Sequence, residues 1–278
     1  MKKILLISTS LLAIVAVAAV LYLMRDPAAA SAPITAIPLE RETEAAPETA
    51  PTESGPQSEA TAGQSETDGA AEEGSTPTPP PTEDATGNAE SEVAAEAGAG
   101  EARVYQISQA DSQVRFELDE DLRGERTTVV GATDQVAGEI AVNLADLSAT
   151  QIGLIQINAR TLATDNSFRN RAIHNEILQT GSYEFITFAP TEIAGLPQSA
   201  DPGDEVTFTI SGDLTIRDVT QSVTFEVTAA ALSENELTGL ASTTIAREAY
   251  GLSIPSVPQV ANVEEEVDIF IEFVAHAT

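Results

Sequence analysis

The chain has 278 residues, a net charge of −31 and no cysteine. The missing cysteines exclude disulfides, thiolate metal sites and cysteine nucleophiles, and the acidity excludes the basic surface that nucleic acids require. Residues 101–278 hold nine arginines against 28 acidic residues and nearly all of the aromatic residues, so one folded domain with a sizeable core is expected there.

The N-terminus contains an uncharged apolar stretch from Ile4 to Met24, preceded by two lysines and followed by Arg25-Asp26. As a helix rising ~1.5 Å per residue it would be ~31 Å long, which matches the hydrocarbon core of a bilayer. We predict a single-pass transmembrane anchor over residues 1–25, with the rest of the chain extracytoplasmic at the cell membrane. The alternative is a signal peptide cleaved among the small residues at 28–32, which would leave the domain secreted or periplasmic.

Residues 26–101 form a linker rich in Ala, Pro, Thr, Glu, Gly and Ser, with 16 acidic side chains in 26–100. Such a segment cannot bury enough apolar surface to offset its ordering entropy, so disorder is predicted. Like-signed charge and proline both extend it. We therefore expect a spacer that holds the domain, residues 102–278, away from the membrane.

The domain alternates apolar and polar residues in short runs separated by turn formers, a pattern typical of an antiparallel barrel or sandwich. One helix is expected over 168–178, capped by Thr164-Asp165 and ended by Gly181, because apolar residues recur there at three- and four-residue steps. A barrel of about eight strands is either filled by its own side chains or wide enough for one slender ligand. Strands are predicted at 104–107, 114–118, 127–130, 136–142, 150–161, 183–193, 206–216, 219–229, 237–246 and 260–275.

The clearest element is a hairpin over 206–229. Its large apolar residues occupy even positions before the turn and odd positions after it. A two-residue turn at Arg217-Asp218 places Ile210 opposite Phe225 and puts every large apolar side chain on one face, with threonines and serines on the other. A slip of one residue would split the apolar rows between the faces, so the pattern fixes the register. One wet face and one dry face indicate a sheet curled over an apolar interior.

The order of motifs after Arg103 resembles the YceI family, the polyisoprenoid-binding-like domains of bacterial envelopes. The motifs that carry the resemblance are Val104-Tyr105-Gln106-Ile107 with Asp111-Ser112-Gln113-Val114-Arg115-Phe116, Val136-Ala137-Gly138-Glu139-Ile140, Thr161-Leu162-Ala163-Thr164 with Arg169-Asn170, Tyr183-Glu184-Phe185-Ile186-Thr187-Phe188, Gly212-Asp213-Leu214-Thr215-Ile216-Arg217-Asp218-Val219-Thr220 and Ile245-Ala246-Arg247-Glu248-Ala249-Tyr250-Gly251-Leu252. The sequence departs from the family pattern at Asp218, where glycine is usual. The resemblance implies an all-β, lipocalin-like antiparallel barrel of about eight strands with one helix. It also implies an elongated apolar cavity for an isoprenoid or similar amphiphile.

Candidate ligand-binding residues are the apolar side chains expected to face the barrel interior. Gly212 would leave space beside Val223 and Phe225, or else mark a barrel corner. Phe168 and Ile173 would either plug one end of the barrel and touch a ligand or belong to ordinary core. The predicted ligand-binding set is Ile155, Ile157, Phe168, Ile173, Phe185, Phe208, Ile210, Gly212, Leu214, Val223, Phe225, Ile269 and Ile271.

No catalytic residue, metal site or cofactor is predicted. The two histidines, His174 and His276, lack a suitable partner spacing, and neither a nucleophile elbow nor a phosphate loop is present. Arg169 and Arg247 either neutralise an anionic head group at the barrel mouth or pair with local carboxylates.

The sequence thus predicts an envelope-associated, non-enzymatic binding protein for a polyisoprenoid or similar lipid. Its expected partners are the lipid and, through the N-terminal helix, the membrane, but no nucleic acid. The alternative is a structural or interaction barrel with a filled core on an acidic stalk. The oligomeric state is left open.

Overall fold

A computed structural model describes residues 26–31, 33–39 and 101–278, which belong to one compact unit. The predicted anchor over 1–25 and most of the predicted linker lie outside these residues. Every helix in the described part is too short or too polar to cross a bilayer.

Residues 101–278 fold into thirteen β-strands, all paired antiparallel, and one short α-helix. The predicted class, all-β antiparallel with a single helix, is confirmed. The strands are β1 Arg103–Ile107, β2 Gln113–Leu122, β3 Glu125–Thr133, β4 Val136–Ala137, β5 Glu139–Val142, β6 Gln151–Ile152, β7 Ile155–Asn158, β8 Phe185–Ala194, β9 Glu205–Ile216, β10 Val219–Ser233, β11 Glu236–Ala246, β12 Val260–Ala261 and β13 Glu266–Ala277, and the helix, α1, is Ser167–Ala172.

The thirteen strands form one strongly curled sheet. Its strand order is β4-β7-β8-β9-β10-β11-β13-β1-β5-β6, and Gly138 alone joins β4, at one end, to β5, the strand next to the other end. The β2–β3 hairpin is added along the first half of β13, while β1 pairs with the second half. The result is a curled half-barrel whose concave face carries the core.

The barrel has two distinct ends. At the helix end, Arg217 in the β9–β10 turn donates hydrogen bonds from Nη1 to the carbonyl oxygens of Ile177 (3.3 Å) and Gly251 (3.4 Å). The far end carries the 195–204 loop and the β10–β11 turn. These contacts place the helix over one opening of the barrel.

The β9–β10 hairpin has the predicted register. Ile216 pairs with Val219 across a two-residue turn, and Ile210 pairs with Phe225. The outer face carries a ladder of hydroxyl pairs, including Ser211–Thr224 and Thr215–Thr220, each 2.8 Å between oxygens. Arg217 takes the left-handed conformation of the turn (φ 59°).

The structure corrects the helix and one strand break. The cap is Asn166, whose side chain accepts hydrogen bonds from the amides of Phe168 and Arg169, rather than Thr164-Asp165. The helix is α-helical only through Ala172, and Ile173–Ile177 form a π-helical turn in which Leu178 N–H donates to Ile173 O at 2.7 Å. Strand β3 continues through Gly131, because the absent side chain makes room for the Phe116 ring of the paired strand.

Residues 26–31 and 33–39 lie extended across the barrel wall, although the sequence assigns them to the linker. We call these residues the strap. Its polar contacts with the barrel are the Asp26 carboxylate with Arg171 Nη2 (3.2 Å), Ala29 O with Arg160 Nη1 (3.1 Å), Ser31 N and Oγ with Glu184 (2.7 Å each), Ile34 O with Gln109 Nε2 (2.5 Å) and Leu39 N with Glu139 Oε2 (2.9 Å). The buried Ala36 is its apolar contribution. Most of these bonds use strap backbone atoms, so side-chain composition does not reveal them.

Glu184 is the central contact of the strap. Burial acts to raise the pKa of this carboxyl, but hydrogen bonds from Ser31 and Asn158 and the positive charge of Arg160 outweigh it, so the pKa lies below its ordinary 4.5. The Glu184–Arg160 ion pair is 2.9 Å long and both side chains are largely buried. The strap is therefore attached to a carboxylate that stays charged.

Candidate functional site

The barrel interior holds a cavity of about 900 Å³ at the helix end. Its volume lies within the range of small-molecule sites. Mainly apolar side chains from the barrel strands form its walls, and α1, the π-helical turn and the 252–263 loop form its mouth. Charged side chains also line it, among them Arg115, Glu120, Arg169, Arg171 and Glu176. We call it the large cavity.

A second, small cavity of about 120 Å³ lies toward the far end. Three side chains, Phe188, Phe225 and Ile271, line both cavities and so form a partition between them. The two rings meet edge to face, with centroids 4.9 Å apart and an interplanar angle of 67°, a favourable geometry for aromatic pairs. The interior is thus one elongated apolar space divided by an aromatic partition.

Gly212 makes room for the partition because it has no side chain. A Cβ at this position would lie 2.5 Å from the carbonyl oxygen of Ala189 and 2.8 Å from two atoms of the Phe188 ring. The space that the sequence suggested beside Gly212 is therefore occupied by Phe188. The glycine allows the ring to lie against the β9 backbone and to reach Phe225.

Ten of the thirteen predicted residues line a cavity. Those of the large cavity alone are Ile157, Phe168, Ile173, Leu214 and Ile269; those of the small cavity alone are Ile155, Phe208 and Ile210; Phe225 and Ile271 line both. The remaining three, Phe185, Gly212 and Val223, do not line either cavity. Phe185 pairs with Asn158, so in β8 it is the even positions, Ile186 and Phe188, that face the cavities.

Several lining residues escape sequence reasoning. Phe188 is the most important, and its strand offers apolar residues at both odd and even positions (Phe185, Ile186, Phe188), so alternation alone does not choose the inner face. The 252–263 loop contributes Leu252, Ile254 and Val257 to the large cavity, and no periodic signal marks it.

The helix that borders the mouth is attached to the barrel by buried charges. Arg169 pairs with Glu120 (2.9 Å) and with Asp165 (2.6 Å), and the Glu120 side chain is only 8% exposed. Arg247 pairs with Glu265 (3.1 Å) and donates to the Leu252 carbonyl. Both arginines thus pair with local carboxylates, which is one of the two predicted roles, and both also line the large cavity.

Two buried titratable groups lie near the helix end. His174 is 7% exposed, its Nε2 is 2.7 Å from Leu162 O, and burial lowers its pKa. The Nε2 must carry a proton to donate to this carbonyl, and burial disfavours a second proton on the buried Nδ1, which has no hydrogen-bond partner. Burial also raises the pKa of Tyr250 to about 12. Neither side chain lines a cavity.

Within residues 26–31, 33–39 and 101–278, no group of three or more His, Cys, Asp or Glu side chains is arranged to hold a metal ion. The chemistry that this interior offers is the burial of an apolar chain.

Three solved structures from bacteria resemble this chain as follows. A polyisoprenoid binding domain from Saccharophagus degradans, implicated in plant cell wall breakdown, superposes with a TM-score of 0.51 at 13% identity over 63% of this chain and 98% of the other. BcnA from Burkholderia cenocepacia gives 0.47 at 19% identity, with 60% and 98% coverage. The YCEI protein of Campylobacter jejuni gives 0.44 at 13% identity, with 53% and 84% coverage.

Among curated proteins no sequence matches this chain significantly. The Saccharophagus degradans domain shares the fold. The YceI-like domain family matches residues 105–275, which is more than half of the chain and nearly the whole of the barrel. The chain belongs to the YceI family.

Proposed function

We propose that this protein binds a polyisoprenoid or a similar amphiphilic lipid in the large cavity. The observation that carries the proposal is the size of this space, about 900 Å³, and its lining, which is mainly aliphatic and aromatic with a minority of charged side chains. The Saccharophagus degradans neighbour is described as a polyisoprenoid binding domain, which supports the same ligand class here. The cavity disfavours the alternative of a barrel with a filled core.

Binding would come from burial of the ligand chain. At ~0.8 kcal/mol per buried CH₂, and with ~4–15 kcal/mol lost on association, a micromolar complex at about −8 kcal/mol needs roughly 15–30 buried carbons. This length corresponds to a few isoprene units, and fits a long slender chain better than a small metabolite. Because aliphatic burial discriminates weakly among chains, we propose modest selectivity between lipids of similar length.

The role is that of a carrier or store at the cell envelope, not of a catalyst. The apolar stretch at residues 4–24 supports membrane attachment with the barrel extracytoplasmic. Secretion after signal cleavage is the alternative location. In both locations the barrel would shield a water-insoluble chain.

The test is native mass spectrometry of the full chain purified from its own cells, followed by organic extraction. A co-purifying isoprenoid or fatty amphiphile supports the proposal. A protein that is empty and also ignores added quinones and prenyl lipids would refute it.

A matched pair of variants localises the site. Ile269→Trp fills part of the large cavity, whereas Glu266→Trp adds the same side chain to the exposed outer face of the same strand. We expect the first variant to lose most of the bound lipid and the second to retain it. The chain contains no tryptophan, so each variant also reports its own environment by fluorescence.

A further inference from the structure

The mouth of the large cavity exposes apolar side chains. Phe168 on α1 is 75% exposed and Val257 on the 252–263 loop is 45% exposed, although both line the large cavity. Ile254, Pro255 and Pro258 complete this part of the lining. We call Phe168, Ile254, Pro255, Val257 and Pro258 the rim. Grouped exposed apolar side chains beside a ligand-sized opening are a feature of interaction surfaces.

The strap brings the N-terminal side of the chain to the rim. Asp26 pairs with Arg171 at 3.2 Å, and Arg171 lies three residues after Phe168 in the same helix. Residues three apart in a helix are neighbours on its surface, with Cβ atoms ~5–6 Å apart. The chain therefore passes the mouth of the cavity at Asp26.

The uncharged stretch Ile4–Met24 ends two residues before Asp26. Two residues of chain span at most ~7 Å, at no more than ~3.6 Å per residue. If the stretch enters a bilayer, as the proposed function has it, the rim must lie at the bilayer surface. An acidic spacer cannot intervene, because residues 40–100 follow the strap in the chain.

We propose that the rim docks on the surface of a phospholipid bilayer, so that the large cavity opens directly onto the lipid phase. This inference rests on the proposed membrane attachment and names the partner of the same cavity. A lipid chain would then pass from the bilayer into the cavity without crossing water. Because nine arginines face 28 acidic residues in 101–278, the bilayer that fits is zwitterionic rather than anionic.

Single tryptophans test the docking. The variants are Phe168→Trp and Val257→Trp at the rim, and Leu232→Trp as a control, since Leu232 is 56% exposed and lies beyond the small cavity at the far end. Each full-length variant is reconstituted into phosphatidylcholine vesicles with and without a phospholipid that carries a nitroxide quencher on its head group. A quencher on the head group stays at the bilayer surface, so quenching reports docking and not entry of a chain into the cavity.

In vesicles that carry the nitroxide, we expect the Trp emission of both rim variants to lose most of its intensity. The emission of the Leu232→Trp control should keep its intensity. Equal emission at the rim and at the far end overturns the proposal, as does a full-length chain that fails to float with the vesicles. Two rim positions are used so that one poorly folded variant does not decide the outcome.

Organic extraction of the same vesicle-bound protein separates the two proposals. Rim quenching in a protein that carries no isoprenoid and also ignores added quinones and prenyl lipids supports docking and refutes the lipid-binding function. A bound isoprenoid with an unquenched rim refutes docking and leaves lipid binding in place.

Discussion

Gly212→Ala tests whether the partition is seated as tightly as the structure indicates. The added methyl would lie 2.5 Å from the Ala189 carbonyl oxygen and 2.8 Å from the Phe188 ring, whereas ordinary contacts begin near 3.4 Å. The carbonyl belongs to the paired strand β8 and cannot rotate away. Relief therefore requires a shift of about 1 Å in the β8–β9 backbone or in the ring, and overpacking of this kind costs ~1–3 kcal/mol.

For a domain of this size each kcal/mol lowers the melting temperature by ~2–4 °C, so the expected loss is roughly 2–12 °C. The assay is thermal unfolding followed by circular dichroism. The matched control is Gly181→Ala, because nothing lies within 4 Å of a Cβ at that position and its φ is not positive. We expect the control to melt near the wild-type temperature.

A double variant separates the two contacts. Phe188→Leu in the Gly212→Ala background removes the ring contact but leaves the carbonyl contact, so part of the loss should persist. A Gly212→Ala protein that melts with the wild type would refute the reasoning and would mean that the space beside Gly212 is open.

Three further outcomes are expected. Phe188→Leu should open the partition and shift the extracted lipid toward longer chains. The control Phe273→Leu alters only the small cavity and should leave the lipid profile unchanged. Identical profiles for the two variants would contradict the idea that the partition limits the length of the bound chain. Because burial lowers the pKa of His174 in the folded state, the unfolded state binds a proton at higher pH, and the free energy of unfolding should fall as pH drops below about 6.5. The urea midpoint should therefore decrease between pH 7.5 and pH 5.5, and it should decrease less in His174→Gln than in the wild type. An equal decrease in both proteins would exclude this histidine as the cause. Because the pKa of Glu184 is lowered in the folded state, contact between the strap and the barrel should be complete above pH 4.5 and should weaken as pH falls through the folded-state pKa. Glu184→Gln should raise the rate of hydrogen exchange at the Ser31 amide at neutral pH. An unchanged rate would mean that this carboxylate does not hold the strap.

The hairpin could be predicted in full because its pattern admits one register only. Strict alternation on both strands leaves no second arrangement that buries Ile210 and Phe225 together, and the structure has that pairing. The register of such a hairpin follows from its own residues, and no distant part of the chain is needed to predict it.

The partition could not be predicted because it depends on two strands at once. Strand β8 has apolar residues on both faces, so its inner face is fixed only when it pairs with β9 and β7. The same pairing places the Phe188 ring in the space beside Gly212. The strap escaped prediction for a similar reason, since Glu184, Arg160 and Glu139 recognise mainly its backbone, which every sequence possesses.

The strap and β1 contact the barrel on either side of the long acidic segment in the sequence. Leu39 is bonded to Glu139, and Arg103 pairs with Val142, so the chain leaves and rejoins the barrel within the single strand β5, over ~10 Å. We therefore expect insertions between Leu39 and Arg103 to leave the contacts of the strap, including the pair of Asp26 with Arg171, unchanged.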